Sequence, residues 1–351
     1  MTPVELSRTV LHAVRRAVDD GELSVVVPER AVVGPPGPGG CGDYATNIAL
    51  QLSRPAGRPP RCVAEILRPR LVDVDGIADV VVTGPGFLNI RLRDAGAAAL
   101  VRRILAEGVR YGHLAAPAGH PVRLHSPHDV RALVLTDALA RILRSQGAVV
   151  RTSCDARPEP EWERVLGVGV DAFGRPGADE PADTLVRPVP APADPLPLGR
   201  DAGRWALLRP AAHDRPRITG EHLVQREGNP LFRVRYAHAR VRALVRNAAD
   251  LGFHSEPGSP DTPGGTAALL PVLGDHPRVL AAAAAHRAPD RLARHLVAVA
   301  DAALPLLPAV LPLGEEKPSA AHRARLALAE AAGTVLAGGL SLLGIDAPDH
   351  L

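Results

Sequence analysis

The spacing of apolar residues predicts a different architecture for the two ends of the chain. Apolar residues recur every three or four positions over roughly 4–19 and 61–73, which predicts amphipathic helices. A strand is predicted over 23–33, and residues 77–93 indicate a hairpin around a Gly-Pro-Gly turn. From residue 200 onward the helical spacing returns repeatedly. The N-terminal part is therefore predicted to be α+β and the C-terminal part all-α.

The middle of the chain predicts a single strand–helix–strand unit followed by a proline-rich segment. Residues 124–151 have the unit's pattern, with Ser126 or Asp129 placed to cap the helix. Residues 174–199 contain seven prolines, which indicates an exposed linker without regular helix or sheet pairing. The predicted segments are 1–110, 121–173, the linker 174–199, and 200–351.

The basic residues are almost all arginine. Lys317 is the one lysine among 41 basic residues, and the net charge is only +3. A GC-rich genome, whose codons favour arginine, and phosphate recognition by the guanidinium fork are both explanations of this bias. Any surface for nucleic acid must then be a local patch.

Cysteine content and hydropathy indicate the compartment. The three cysteines are odd in number and far apart, which indicates a reduced, cytoplasmic protein. We find no run of about 18 apolar residues and no signal-peptide core, so no membrane association is expected. His125 and His128 are spaced like a metal pair but lack further ligands, so no metal site is expected.

Several segments together resemble arginyl-tRNA synthetases. "CGDYATNIALQLSRPAGRPPRCVAEIL" and "DVDGIADVVVTGPGFLNIRL" are similar to that family's N-terminal additional domain. "GNPLFRVRYAHARVRALVRNA" and "RARLALAEAAGTVLAGGLSLLGIDAP" are similar to its DALR-type anticodon-binding domain. The resemblance implies a multidomain α+β protein. Its parts would be an N-terminal α+β domain of the type that meets the tRNA elbow, a remnant α/β (Rossmann-like) unit, and a C-terminal all-α helical bundle.

The family's catalytic signatures are degenerate or missing here. The resemblance places the family's two-histidine turn, which holds the ATP phosphates, on Ser126, Pro127, His128 and Asp129. Both histidine positions are changed, and the carboxylate of Asp129 opposes a triphosphate. The proline-rich segment lacks the family's second-motif lysine. We therefore expect no catalytic residue and no cofactor, although the family uses ATP.

The resemblance favours a non-catalytic tRNA-binding protein derived from an arginyl-tRNA synthetase, with tRNA-Arg as the expected partner. Two alternatives stay open: a regulatory module that binds a protein partner, and residual arginine–tRNA ligase activity. The apolar residues spaced every three or four positions over 234–248 are expected to face the core, which leaves the arginines and the tyrosine of this helix available to contact RNA. The candidate RNA-binding residues are Tyr44, Asn47, Phe87, Asn89, Arg233, Arg235, Tyr236, Arg240, Arg242 and Arg246.

Overall fold

The computed structural model describes residues 3–37, 40–92, 94–114, 122–174, 182–258 and 266–351. It contains two compact units. Unit 1 comprises Met1–Arg103, Ser255–Asp275 and Pro312–Leu328, and unit 2 comprises Ile104–His254, His276–Leu311 and Ala329–Leu351. Each unit combines three separate stretches of the chain that are grouped by spatial contact. The segment boundaries expected from the sequence therefore stay a prediction.

Unit 1 is built on a four-stranded antiparallel sheet of order β1-β2-β4-β3. Its strands are β1 (Val33–Gly34), β2 (Tyr44–Thr46), β3 (Ile77–Thr83) and β4 (Phe87–Leu92), and the β3–β4 hairpin confirms the prediction. The expectation of a strand over 23–33 was wrong. Only its last residue is in β1, since Pro28 supplies no amide for a ladder.

Three helices contribute their apolar faces to the hydrophobic core that they share with this sheet: α1 (Pro3–Asp19), α2 (Ile48–Ala56) and α3 (Pro60–Val72). Leu6, Ile48 and Leu67 are fully buried. The amphipathic helices predicted at 4–19 and 61–73 are therefore confirmed. Helix α4 (Asp94–Glu107) follows the hairpin.

A parallel four-stranded sheet of order β7-β6-β5-β8 occupies the middle of the chain. Its strands are β5 (Val122–Ser126), β6 (Val150–Cys154), β7 (Ala172–Phe173) and β8 (Thr184–Leu185), and α5 (Val130–Ser145) connects β5 to β6. This confirms the predicted strand–helix–strand unit. The sheet also contains two short strands, β7 and β8, that the sequence did not predict.

The proline-rich segment is not simply a linker. In its described part, β8 pairs in parallel with β5, and Val186 just beyond β8 is buried. The expectation that this segment lacks sheet pairing was wrong, because residues 182–187 contain no proline and can supply the amides of a short strand.

The C-terminal region is all-α, as predicted. Its helices are α6 (Gly199–Leu208), α7 (Pro230–Asp250), α8 (Thr266–Ala285), α9 (Pro289–Ala303) and α10 (Ala320–Leu343). Contrary to the sequence expectation, α10 is long and apolar enough to cross a membrane, judged by length and composition alone. However, 78% of its most apolar 18-residue stretch is buried inside the protein, as in a core helix.

Candidate nucleic-acid interface

Helix α7 is fixed at its N-terminus by Asn229. The Asn229 side chain accepts a hydrogen bond from the Leu231 amide at 3.1 Å, and Pro230 occupies the first helical position. The Asn229 amide nitrogen also donates to the carbonyls of His222 and Val224, both at 2.9 Å. The cap therefore holds the preceding segment against the start of α7.

The apolar stripe of α7 is buried as predicted, which leaves the opposite face of the helix at the surface. A groove of about 340 Å³ runs along that face. We call it the α7 groove. It is lined by Gln225, Phe232, Tyr236, Ala239, Arg240, Ala243, Arg246, Asp349, His350 and Leu351.

Two aromatic rings form the apolar part of the α7 groove. Phe232 and Tyr236 are stacked, with ring centroids 5.5 Å apart and planes inclined by 22°. Tyr236 is 41% exposed, so one ring face is available to a flat ligand such as an unpaired base. Sequence reasoning missed Phe232, although its i, i+4 spacing from Tyr236 places both rings on one side of a helix.

Two arginines, Arg240 and Arg246, are among the residues that line the α7 groove, and Arg242 lies beside it through its contact with Asp349. Arg240 is exposed and makes no ion pair or side-chain hydrogen bond with any described residue. Arg246 donates weakly to the Asp349 carbonyl oxygen at 3.4 Å and to His350 Nδ1 at 3.3 Å. Arg242 Nε donates to Asp349 Oδ1 at 2.8 Å, and this hydrogen bond lowers the pKa of the Asp349 carboxyl. The groove thus combines cationic groups with one carboxylate.

Arg233 and Arg235 have partners within the fold. Arg233 pairs with Asp301 of α9 at 3.2 Å, and Arg235 pairs with Asp201 of α6 at 3.2 Å. These ion pairs connect α7 to its neighbouring helices. A contact between either arginine and RNA stays a prediction.

Asn89 was predicted to read RNA, and the structure corrects this. The residue is 2% exposed. Its Nδ2 donates to Thr83 Oγ1 at 2.7 Å and to the Val81 carbonyl at 3.2 Å, while its Oδ1 accepts from the Cys41 amide at 3.3 Å. A buried amide needs such partners, so Asn89 stabilises the β3–β4 hairpin instead.

Tyr44 is also buried, at 3% exposure, which corrects its prediction as an RNA contact. Burial, reinforced by the carboxylates of Asp275 and Asp43, raises the pKa of its hydroxyl. Phe87 is 41% exposed on the hairpin, and Asn47 is half-buried, with its Oδ1 accepting from the side chain of the neighbouring glutamine at 3.2 Å. For Phe87 and Asn47, RNA contact stays a prediction.

The turn that replaces the family's ATP signature is occupied by the protein's own groups. Asp129 caps α5, with its carboxylate accepting from the Ala132 amide at 2.9 Å. Ser126 is fully buried, and its hydroxyl donates to the Ser153 carbonyl at 3.4 Å. The positive end of α5, which favours an anion, therefore already faces an internal carboxylate.

Both histidines near this turn have protein partners. His125 lies between Ser153 Oγ, 2.9 Å from Nδ1, and Asp155 Oδ1, 3.3 Å from Nε2. The His128 ring packs on Trp162 with centroids 5.0 Å apart. Among the described residues no group of three or more His, Cys, Asp or Glu side chains is placed to hold a metal ion.

Two arginines that sequence reasoning did not single out are fully buried. Arg131, two residues after the cap, donates only to backbone carbonyls, including those of Val189 at 2.6 Å, Asp214 at 2.7 Å and Ala211 at 2.9 Å. Arg204 of α6 is equally buried. Burial lowers the pKa of both guanidinium groups. Each therefore acts as a structural cation.

Two family profiles match the chain. "Arginyl tRNA synthetase N terminal domain" matches residues 5–92, and "DALR anticodon binding domain" matches residues 234–351. The arginine–tRNA ligase of Renibacterium salmoninarum is 33% identical over 270 residues, which cover 72% of this chain and 46% of the relative. That of Frankia alni is 27% identical, with both chains covered over 100% of their length. Its alignment spans 553 positions against 351 residues here, so large parts of it have no counterpart in this chain.

Solved structures share the fold at low sequence identity. The Thermus thermophilus arginyl-tRNA synthetase superposes with a TM-score of 0.68 at 16% identity, with 100% of both chains covered. The Plasmodium falciparum arginyl-tRNA synthetase gives 0.71 at 8% identity, with 99% of both chains covered. At these sequence identities, the two comparisons establish a shared fold.

Proposed function

The chain belongs to the arginyl-tRNA synthetase-related proteins and carries a DALR anticodon-binding domain, and from this we propose that it is a non-catalytic tRNA-binding protein. Its partner in this proposal is tRNA-Arg, and its location is the cytoplasm. Recognition would depend on the helical C-terminal part.

The observation that carries the proposal is the α7 groove. It presents a half-exposed tyrosine ring beside Arg240, which has no partner among the described residues. RNA-binding proteins recognise unpaired bases by stacking them on aromatic rings and hold the backbone with arginines. The groove offers both groups on one helix, at positions 236 and 240.

The non-catalytic part of the proposal is supported by the α5 turn. An incoming triphosphate would meet the Asp129 carboxylate, which already accepts the Ala132 amide. Phosphate groups are normally bound at such a helix end by free amides and cationic groups. The long unmatched parts of the Frankia alni alignment also fit a chain without a complete catalytic domain.

The proposal is tested by measuring binding to tRNA-Arg, a non-cognate tRNA and a DNA duplex of similar charge, at two salt concentrations. The wild type should prefer tRNA-Arg. Tyr236→Leu should weaken that binding by about tenfold, since stacking of one base is worth roughly 1–3 kcal/mol. Arg240→Gln should weaken it by a similar factor, since a hydrogen bond to a charged group such as a phosphate is worth roughly 1.5–3 kcal/mol. Arg291→Gln is the matched control: Arg291 is exposed on α9, outside the groove.

Two results would count against this function. Equal, weak binding to all three nucleic acids that vanishes with salt would exclude specific tRNA recognition. ATP–pyrophosphate exchange above background in the presence of arginine would exclude the non-catalytic assignment, because that exchange requires a working adenylation site.

The internal ion pairs of α7 favour a protein-interaction module as the second candidate function. Arg233, Arg235 and Arg242 are paired with carboxylates of the same chain, so much of the α7 arginine face is neutralised internally. This candidate would be favoured if the wild type bound no RNA above the level of the DNA duplex.

A further inference from the structure

Three side chains of the parallel sheet in unit 2 form a Ser–His–Asp arrangement. Ser153 Oγ lies 2.9 Å from His125 Nδ1, and His125 Nε2 lies 3.3 Å from Asp155 Oδ1. His125 belongs to β5, Ser153 belongs to the adjacent strand β6, and Asp155 follows the end of β6. We call these residues the β5–β6 triad. A hydroxyl, an imidazole and a carboxylate in this hydrogen-bonded order are the groups that serine hydrolases use.

The register of the sheet explains why these groups meet. His125 and Ser153 are paired Cα neighbours in the parallel β5–β6 ladder, so their side chains leave the same face of the sheet. Asp155 comes two residues after Ser153, and its contact with His125 places its carboxylate on that face as well. Leu124 and Cys154, which alternate with them, are buried on the other face. The triad is therefore positioned by sheet pairing between residues that are far apart in the sequence.

The tautomer of His125 is fixed by its carboxylate neighbour. An ionised carboxylate only accepts hydrogen bonds, so Nε2 carries the proton that it donates to Asp155. Nδ1 of the neutral ring is then an acceptor, and the Ser153 hydroxyl donates to it. In this protonation state the imidazole can take the serine proton as a general base.

The exposure of the three groups suits this division of roles. The side chain of His125 is 7% exposed and that of Asp155 is 39% exposed, while Ser153 is half-buried. The base is therefore shielded from water, whereas the hydroxyl stays accessible to a substrate. Because water screens the carboxylate, its stabilisation of an imidazolium is reduced, and we expect slow turnover.

Neighbouring side chains indicate the class of substrate. Leu185 of β8 pairs with His125, and Ala172 of β7 pairs with Ser153, so the four residues form one row across the sheet. Leu185 and Ala172 are both exposed. Arg151, two residues before Ser153 on β6, is exposed and belongs to the same face. These neighbours suit a carboxylic ester with a short apolar acyl group, whose carbonyl oxygen gains negative charge during attack.

A second serine–histidine pair, in unit 1, shows a contact with a purely structural role. Ser319 Oγ lies 2.8 Å from His322 Nδ1, but this nitrogen also accepts from the Ser319 amide at 3.2 Å. The His322 amide in turn donates to Ser319 Oγ at 3.4 Å, so the two residues cap the start of α10 reciprocally. The β5–β6 triad differs, because Ser153 and His125 lie within strands and cap no helix.

We propose that the β5–β6 triad hydrolyses carboxylic esters, with Ser153 as nucleophile, His125 as general base and acid, and Asp155 as the residue that positions the imidazole. Ser153 Oγ forms a bond to the acyl carbon and passes its proton to His125 Nδ1. The C–O bond of the ester then breaks, and Nδ1 gives that proton to the departing alkoxide. Water next attacks the acyl-serine and gives one proton to Nδ1. The bond from Oγ to the acyl carbon breaks, Oγ regains the proton, and a carboxylic acid leaves.

This activity goes beyond the proposed tRNA-binding function and does not depend on it. The lack of catalysis proposed above concerns adenylation and the ligase reaction, whereas ester hydrolysis needs no nucleotide. The Asp129 carboxylate, which opposes a triphosphate at the α5 turn, accepts from the Ala132 amide and takes no part in the triad.

The first test is covalent labelling of the wild-type full chain with a fluorophosphonate. This probe reacts with serine hydroxyls that a neighbouring base activates, and peptide mass spectrometry locates the label. We expect labelling at Ser153 and none at Ser319, although Ser319 is the more exposed of the two. Labelling that follows exposure, or no label on Ser153, would refute an activated nucleophile.

The second test measures hydrolysis of 4-nitrophenyl butyrate. Ser153→Ala and His125→Gln should each lower kcat/KM by about 100-fold, the lower end of the range for general acid–base catalysis. The double variant should be no slower than either single variant, because the two residues act as one unit. Ser319→Ala is the matched control and should leave kcat/KM unchanged. Far-ultraviolet circular dichroism verifies the folding of every variant.

Asp155→Asn tests the positioning role. An amide can donate to Nε2, which favours the tautomer with the proton on Nδ1, and that nitrogen then cannot accept the serine proton. We therefore expect kcat to fall by at least about tenfold with little change in KM, and wild-type activity to rise with pH as the imidazole loses its proton. Unchanged hydrolysis in Ser153→Ala, or losses that add in the double variant, would refute the triad and leave His125 with a structural role only.

Discussion

Replacing Arg204 by methionine should lower the free energy of unfolding of unit 2 by about 3–5 kcal/mol, the range typical of removing one partner of a buried ion pair. Arg204 is fully buried on α6. Its Nε donates to the Leu343 carbonyl at 2.7 Å, its Nη1 to the Leu166 carbonyl at 2.9 Å, and its Nη2 to Asp137 Oδ2 at 2.5 Å. One guanidinium therefore joins α5, α6 and the end of α10.

The magnitude follows from what the substitution leaves behind. Two carbonyls lose their donor, at roughly 1–3 kcal/mol for each group left unsatisfied in a buried position. The Asp137 carboxylate loses one partner but keeps Arg141, whose Nε lies 3.1 Å from Oδ2. The charge left on Asp137 is thus partly compensated, which keeps the total within the stated range. Methionine fills most of the volume of the arginine stem.

A second variant tests the same geometry from the other side. Gly344 has φ of 71°, and a Cβ there would overlap the guanidinium carbon of Arg204. Gly344→Ala should therefore cost more than the roughly 1–2 kcal/mol of left-handed strain alone. In the Arg204→Met background the overlap is relieved, so the same substitution should cost less, and the two changes should be non-additive.

Tryptophan fluorescence during urea unfolding is the suitable assay. Both tryptophans, Trp162 and Trp205, lie in unit 2, and Trp205 is adjacent to Arg204 and fully buried. The signal therefore reports unit 2 even if unit 1 unfolds separately. A loss below about 1 kcal/mol for Arg204→Met would refute the reasoning from buried hydrogen bonds, and additive effects of the two substitutions would refute the predicted overlap.

Two further predictions concern titration and capping. Burial, followed by the charges of His295 and His113, lowers the pKa of His276 in the folded protein. On acidification the unfolded chain therefore binds a proton at this imidazole at a higher pH than the folded protein does. Stability should therefore be complete above about pH 6.5 and fall below it, by up to roughly 1.4 kcal/mol per pH unit for this group. Urea midpoints at pH 7.5 and 5.5 should differ less in His276→Gln; an equal difference would contradict this. Asp129→Ala should cost about 1 kcal/mol by loss of the α5 cap, without producing ATP–pyrophosphate exchange; a gain of exchange would show that the carboxylate alone blocks adenylation.

Local patterns predicted the elements whose partners are close in sequence. The i, i+3, i+4 spacing of Val234, Ala237 and Val241 predicted both α7 and its buried face, and alternation around the Gly-Pro-Gly turn predicted the β3–β4 hairpin. Strand β8 could not be predicted in this way. Its two residues pair in parallel with β5, which lies about sixty positions earlier, and nothing in the local proline-rich sequence indicates that neighbour.

The polar site residues were harder to predict, because burial of a polar group depends on distant partners. Asn89 is buried by acceptors on β3 and a donor from Cys41, and Arg131 is buried by carbonyls of Val189, before α6, and of the loop after α6. From sequence alone an asparagine in a hairpin and an arginine in a helix both indicate exposure. Phe232 was predictable, because its spacing from Tyr236 already places the two rings together.

The arginine bias itself explains little, whereas the surroundings of each arginine are informative. Arg204 is fully buried among carbonyls and a carboxylate, and Arg235 is paired with Asp201, so both would be retained by a protein that never met RNA. Arg240 has no internal partner in the described residues, and it lines the α7 groove together with Tyr236. Arg8, Arg15 and Arg291 are also exposed without a partner in the described part of the chain, but they lie outside that groove, and a genomic preference for arginine codons is sufficient to account for them. Arg240 is therefore the arginine whose replacement tests RNA binding, whereas the abundance of arginine alone does not.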